Sequence, residues 1–590
     1  MTFRNIYTYF CKLAGKSKFL KNIQSPPDGL ARNLKLSGLK VEPEEVCAFA
    51  FLGVLIGVSI IGIVFVAAFV YELSLISVLF LFPLPILLYF VIGWYPRWGT
   101  SKSANESLKV SPRLISYLAV FLKINPNLER AVAFSSNQNQ SGVESFRSEI
   151  WKNSLGLYKT VEEALTEFSC KCEKDKGYFK RSIDLIKSSV SEGSKKARSE
   201  ILDQAIKTVY EGVQNRLESF ASSLQLPTIL IYGIGVLLPL VLLAVMPVLS
   251  TTGFRINSAS LGLVYCVFIP SVIWAIKKEI LSDRPAVFAS IEMPIKDNVK
   301  GAFLTCCLIS LTSLTVVFFL DFSGKLSVLV MLWILTISIS YFCHYSTRKT
   351  LQVREMNKKL EEELPNALTQ LGNQFKNKEP PEVVFRKTAE ITRGSEISKI
   401  LEKTSANLKV GGMNVRKALF DSKEGSLREV YSGQVRHAFR MMTKLLDQSV
   451  QISGEAIIQI SDHMEKISKV ESSIRRTLRN IVNSMKSVTL FFAPMIASIT
   501  VQIHELLSEK TKNLPFFGSG LKISSPNFLT VMGLYIIILT TILTFYIVEI
   551  ESGQDKVMKR AKLAETLPVS MTVFTFGLLI GKQILSILIG

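Results

Sequence analysis

Histidine is scarce in this chain and cysteine is scattered, which leaves little material for metal or redox chemistry. The four histidines among 590 residues, His344, His437, His463 and His504, include no pair at the spacing of metal ligands. Of the eight cysteines, Cys306 and Cys307 lie inside an apolar run, Cys47, Cys266 and Cys343 lie in or beside such runs, and Cys170-Lys171-Cys172 is a lone close pair. Neither a disulfide framework nor a zinc quartet can be assembled from them. A redox role for Cys170 and Cys172 needs an exposed, electropositive setting and is the weaker reading of that pair. A phosphate cradle of the G-x-x-x-x-G-K-[ST] kind is missing too: Gly15-Lys16-Ser17 supplies its end, but Phe10 stands where the earlier glycine belongs. No catalytic residue, cofactor site or metal ligand is expected, and the chain reads as a non-enzyme. The polar regions also lack the period-two pattern of strands, which leaves an all-α fold.

Long apolar runs are abundant. The chain is 48% hydrophobic yet 20% charged, and its mean hydropathy of +0.31 exceeds that of a soluble chain with so many charges. A helix needs about 20 apolar residues to cross the hydrocarbon core. Nine runs qualify: Val46 to Val70, Leu73 to Gly93, Leu224 to Thr252, Ala259 to Ile276, Ala302 to Leu320, Leu326 to Phe342, Ser487 to Ile503, Phe528 to Val548 and the run from Leu567. Ser487 to Ile503 and Ala259 to Ile276 are the shortest. The first eight contain no Asp, Glu, Lys or Arg, whereas a transporter usually places ionisable groups there. Lys582 is the exception, near the end of the last run, where its ammonium can reach the head groups.

The net charge of +21 could signal nucleic acid, so its placement decides. With the N-terminus cytoplasmic, nine spans put residues 1–45, 94–225, 277–300, 343–487 and 549–566 inside, and these hold 63 of the 69 Lys and Arg residues. That is the positive-inside pattern, with the C-terminus extracytoplasmic. No nucleic-acid motif accompanies it. The domains follow: an N-terminal segment over 1–45, two spans over 46–93, a cytoplasmic helical domain over 94–225, and four spans over 226–342. A second helical domain covers 343–487 and three spans cover 488–590, with a basic inner loop at 549–566.

The two helical domains read as copies of one unit. Ile460, Met464, Ile467, Ile474, Leu478, Ile481 and Met485 make an apolar seam, broken only by Glu471, that leads into the uncharged run after Lys486. Earlier, Ile201, Ala205, Val209, Val213, Leu217 and Phe220 lead into the run from Leu224 in the same way. The punctuation keeps its spacing. Pro112 and Pro365 are 253 residues apart, Leu165 and Leu419 254, and Pro239 and Pro494 255. At the other end of the chain, residues 1–22 place Phe3, Ile6, Tyr7, Phe10 and Ala14 on one helical face, with Lys12, Lys16, Lys18 and Lys21 beside it, as in a helix lying on a membrane. Pro43-Glu44-Glu45 opens the first span.

Further motifs are "SPRLISYLAVFLKINPNLERAV" opening the first copy, "LLPLVLLAVMP" and "LFFAPMIASIT" closing the two, "LSDRP" after the fourth span and "ESGQDKVMKR" before the last. In these and in the order of its elements the chain resembles the type II secretion F-domain family. It most resembles the double-domain archaeal form, the membrane platform of the archaellum and of archaeal type IV pili. Pro112, Tyr117, Pro126 and Asn127 match the first domain, with Pro239, Pro365 and Pro494 as further motif positions; the second copy has Pro380-Pro381 but lacks the asparagine. The resemblance implies a non-enzymatic platform, a homodimer in the cell membrane, seated on a hexameric cytoplasmic secretion ATPase. It would pass that motor's motion to pilin-like filament subunits, with membrane lipids as its other partners. Candidate contacts to an acidic rim on the ATPase are Arg416, Lys417, Arg428, Arg436, Arg440, Lys556, Lys559 and Arg560. The alternative is a transporter or channel with cytoplasmic regulatory domains.

Overall fold

The computed structural model of the chain describes residues 3–17, 41–70, 114–123, 125–136, 160–172, 177–251, 258–282, 324–446, 450–511 and 523–589, with single positions such as Leu34, Ile92, Pro112 and Arg284 between them. The described residues are all-helical, and seven of their helices are long and apolar enough to cross a membrane: Pro43–Ile63, Lys195–Val245, Ser260–Leu281, Lys325–Lys376, Arg476–Ser508, Ser525–Ser552 and Lys556–Gly581. Each contains or overlaps one of the nine runs. The other two runs, Leu73 to Gly93 and Ala302 to Leu320, lie outside the described residues save for single positions such as Ile92, and the side chains of Cys170, Cys172, Ile467, Glu471, Ile474 and Lys582 lie outside them too. The number and length of these helices point to a multi-pass membrane protein. Leu226, Ile229, Phe491, Phe576 and Leu579 are each more than half exposed on the outside of the apolar bundle, a surface that water would penalise and lipid would cover.

Among the described residues two large cores and a small N-terminal one are formed. The first, here the head core, draws on both copies at once: Leu114 to Leu217 from the first and Leu360 to Met464 from the second. The sequence marks two helical domains; in space their apolar faces close on one another. Tyr117 of the first copy packs at a tilt against His437 of the second, with ring centroids 3.9 Å apart. Asp203 accepts from Lys123 at 2.7 Å and from Lys466 at 3.5 Å. The second, the apolar core, begins at Phe220 and gathers the membrane-length helices.

Among the described residues three helices pass from one of the two large cores into the other. The first lever, Lys195–Ser223, starts with Ser194 as its cap, whose hydroxyl accepts from the Ala197 N–H. It buries Leu202, Ala205, Val209, Val213 and Leu217 in the head and Phe220 in the apolar core. Gln225–Tyr232 continues it, with one loosened residue, Leu224, still in helical conformation. The second lever, Val450–Ser487, buries Ile457, Ile460 and Met464 in the head and Leu478, Val482 and Met485 in the apolar core. The third, the inbound helix Lys325–Lys376, buries Leu332 and Cys343 at one end and Leu360 to Phe375 at the other. At about 1.5 Å per residue, 52 residues make it roughly 78 Å long. Inbound helix and second lever meet backbone to backbone at Gly372 and Gly454: a Cβ on either would lie 2.8 Å from the other's carbonyl oxygen. Only glycine permits that approach.

The N-terminal helix Phe3–Gly15 docks on the start of Pro43–Val70. Tyr7, Cys11 and Ala14 are buried there, and the Tyr7 hydroxyl donates to the Ile92 carbonyl at 2.9 Å. The predicted apolar face is therefore divided, since Phe10 stays 42% exposed beside Tyr9 and Leu13.

Candidate functional site: levers at the membrane boundary

In each copy a wide turn follows the lever after it has entered the apolar core, and proline explains it. Pro239 and Pro494 have no N–H to donate, and their rings crowd the carbonyl four residues back, Gly235 and Leu490 respectively. The chain relaxes into one π turn, Gly233–Leu237 in the first copy and Val488–Phe492 in the second. In each the residue before the proline donates five residues back, Leu238 to Gly233 and Ala493 to Val488. The two turns are 255 residues apart, the same separation as the prolines, so the copies share a backbone irregularity as well as a sequence pattern. A third π turn, Val264–Phe268, precedes Pro270 by the same step. The carbonyl orphaned at Gly235 is buried, and the Tyr535 hydroxyl donates to it. Tyr265 donates to the Pro239 carbonyl at 2.8 Å, and the two tyrosine rings meet edge to face at 5.7 Å.

The head ends of the two copies also correspond. Pro112 and Pro365 each accept from a hydroxyl one turn later: Ser116 at 2.7 Å, Thr369 at 3.1 Å. Those hydroxyls then reach a lever, Ser116 to Tyr210 at 3.4 Å and Thr369 to Ser461 at 2.8 Å. Asn127 is a helix cap: its Oδ1 accepts from the Arg130 N–H at 2.9 Å and opens Leu128–Ser136. In the second copy Pro380 occupies the cap and Pro381 the first helical position of Pro381–Ile391, where a missing N–H costs nothing. The missing asparagine is a change of cap. Pro126 is exposed, while Pro112 and Tyr117 are buried.

A charged turn between the last two long helices, residues 549–560, fastens three elements together. Asp555 caps the last helix, its Oδ1 accepting from Val557 N–H at 3.0 Å and Met558 N–H at 3.1 Å. Its Oδ2 takes Arg354 of the inbound helix at 2.5 Å. Glu549 receives Lys277 at 3.1 Å and also Lys559. Glu551 lies 4.0 Å from Lys486 of the second lever. Arg284, the arginine of "LSDRP", donates from Nε to the Ile550 carbonyl at 3.0 Å. Burial pushes its guanidinium down to about 10, and Glu549 opposes the drop. Gly553 makes the fit possible: φ is +77° with ψ −152°, and a Cβ there would lie 2.9 Å from Arg284 Nη1. No other residue type tolerates that backbone well. Arg284, Arg354 and the acidic residues of this turn belong to the site and were not among the sequence candidates, because each is assembled with a partner far away along the chain.

The predicted basic contacts divide. Arg416 is exposed on the short helix Val415–Phe420, and Arg436 and Arg440 are half-buried on Gly433–Leu446. Burial, then Arg436 and Arg416, hold the Arg440 guanidinium below its ordinary range. Lys444, one turn further, is lowered by burial and by Arg440 and Arg416. These four form one electropositive cluster. Lys444 was missed, although the spacing 436, 440, 444 places it on the same face. Lys417 is exposed beside Asp421, and Arg428 is exposed with its guanidinium on the Lys423 carbonyl at 3.2 Å. Lys556 is exposed, Arg560 is half-buried, and Lys559 is taken up by Glu549.

No protein-family profile, curated protein or solved structure matches the chain. What the site can do follows from its construction. Among the described residues no group of three or more His, Cys, Asp or Glu side chains is placed to hold a metal ion. The arrangement instead joins a basic helical head to an apolar bundle through continuous helices, pinned where they meet by paired charges.

Proposed function

We propose that the chain is the membrane platform of a type IV pilus-like filament assembly machine, passing movement from a hexameric cytoplasmic ATPase to pilin-like subunits in the bilayer. The observation that carries this reading is the duplicated lever. In both copies a helix leaves the shared head core, enters the apolar core, and carries a π turn at the same place beyond that entry. Such a helix transmits a displacement, whereas a flexible tether would absorb it. In this reading the head is cytoplasmic, the C-terminus is extracytoplasmic, and the working unit is a homodimer. The cluster of Arg416, Arg436, Arg440 and Lys444 faces an acidic rim on the ATPase, since like charges held close together favour an anionic partner.

The test is affinity purification of the full-length chain from its native membranes at low and high salt. A hexameric ATPase should co-purify at low salt and be lost as salt screens the contact. Arg416→Glu with Arg440→Glu should abolish its recovery while membrane insertion is unchanged. Ion or solute flux through the purified protein alone, with no ATPase recovered, would overturn the platform in favour of a transporter.

A further inference from the structure

The continuation of the first lever, Gln225–Tyr232, carries two hydroxyls on one face, since Thr228 and Tyr232 are one helical turn apart. A third comes from Tyr546 of the long helix Ser525–Ser552. Thr228 and Tyr546 are more than nine-tenths buried, at 6% and 0% exposure, and Tyr232 is half-buried with its hydroxyl sealed from the outside. Among the described residues none of the three oxygens has a hydrogen-bond partner. They are nonetheless neighbours. Thr228 and Tyr546 interact without meeting hydrogen-bond geometry, and Tyr546 acts electrostatically on Tyr232.

A buried threonine in a helix ordinarily satisfies itself. Thr336, Thr347, Thr489 and Thr500 each donate to the carbonyl four residues back, and Thr228 does not. Three unpartnered hydroxyls in one place would each carry the cost of leaving water with no bond gained in return. An enclosed water molecule removes that cost, because it both donates and accepts and typically makes about three bonds to buried polar groups. A lipid head group cannot substitute for it, since none of the three oxygens can be reached from the outside.

We propose that Thr228, Tyr232 and Tyr546 hold one internal water molecule, which joins the continuation of the first lever to the helix Ser525–Ser552. That helix then grips the first copy twice, through Tyr535 directly on the Gly235 carbonyl and through Tyr546 by way of water. A bridging water bonds nearly as well as a direct contact and is not fixed to one spacing, so this joint can slide where the Tyr535 contact is rigid. The second copy lacks the counterpart: Asn483 and Ser487, 255 residues on, are exposed, and the Ser487 hydroxyl donates to the Asn483 carbonyl.

The test is radiolytic labelling of the full-length protein in nanodiscs, in which a bound water yields hydroxyl radicals on the spot and mass spectrometry finds the oxidised ring. Tyr546 should be labelled, and Tyr535, just as buried at 1% exposure but bonded to a carbonyl, should not. Thr228→Val with Tyr232→Phe keeps the shape of both side chains and leaves the water a single partner, so the label on Tyr546 should be lost. Equal labelling of Tyr535 and Tyr546, or a label on Tyr546 that survives in the double variant, would overturn the proposal. Thermal melts give a second reading that differs in sign. If the hydroxyls hold water, Tyr546→Phe removes one of its bonds and should lower the melting temperature by roughly 2 °C. If the place is dry, the same change removes an unpartnered hydroxyl and the melting temperature holds or rises, which refutes the site.

Discussion

A proline at Asn480 separates a lever from a tether. Asn480 is exposed on the second lever, thirty residues after Val450, between the buried Leu478 and Val482. Its carbonyl accepts from Ser484 at 3.1 Å, a bond that a substitution at 480 leaves intact. Proline there removes one helical N–H and crowds the carbonyl four residues back, at about 3 kcal/mol. A kink of about 20° acting over the roughly 45 Å from Asn480 back to Val450 would swing that end by about 15 Å if nothing opposed it. Something does oppose it, because the lever touches the inbound helix backbone to backbone at Gly372 and Gly454. The kink must either open that contact or be absorbed as strain, and both uncouple the head from the bundle. Under the proposed platform function, Asn480→Pro should therefore reach the membrane and retain the ATPase yet assemble no filament, whereas Asn480→Ala should behave as wild type. Membrane fractionation, co-purification and filament counts by electron microscopy read the three outcomes. Filaments at normal numbers from the proline variant would refute the lever and send force to the membrane by another route.

Three further predictions concern single contacts. Tyr535→Phe strands the buried Gly235 carbonyl and should cost about 2 kcal/mol; adding Pro239→Ala returns an N–H to that carbonyl, so thermal melts of the double variant should recover most of the loss. Gly553→Ala forces a side chain into a backbone conformation reserved for glycine and into Arg284, which should cost about 1–3 kcal/mol and lower the melting temperature of the reconstituted protein. Asn127→Ala removes a cap at about 1 kcal/mol; hydrogen exchange should quicken in Leu128–Ser136 and stay unchanged in Pro381–Ile391, whose start relies on proline.

Much of the architecture is legible in the sequence because it is local. Uncharged runs of spanning length have one helical solution, and seven of the nine are seen as long helices. The seam of the first lever was placed almost residue for residue, except that Leu202 is buried where Ile201 is half-buried. The separation of 255 between Pro239 and Pro494 foretold matching structure, though not that it would be a π turn, since a proline in a helix can also kink it or end it. The site was less legible. Nothing near Glu549 names Lys277, and nothing near Gly235 names Tyr535, 300 residues on; such pairs are set by packing of helices far apart in sequence. The shared head core was hidden for the same reason, because an amphipathic face shows that it must be buried and leaves open against what.

The π turns have one more consequence. Widening a turn adds the equivalent of one residue to the helix, and one residue is about 100° of rotation. Everything downstream is thereby re-aimed about the helix axis relative to everything upstream. In the second lever Leu478, Val482 and Met485 pack in the apolar core before the turn and Ala493, Ala497 and Val501 after it, so the turn sets the phase between two sets of residues that share that core. A deletion of a single residue within Val488–Phe492 would leave the lever helical and its length almost unchanged, but would turn Ala493, Ala497 and Val501 away from the neighbours they now pack against. The phase of the rod, as much as its stiffness, is what the duplication has kept.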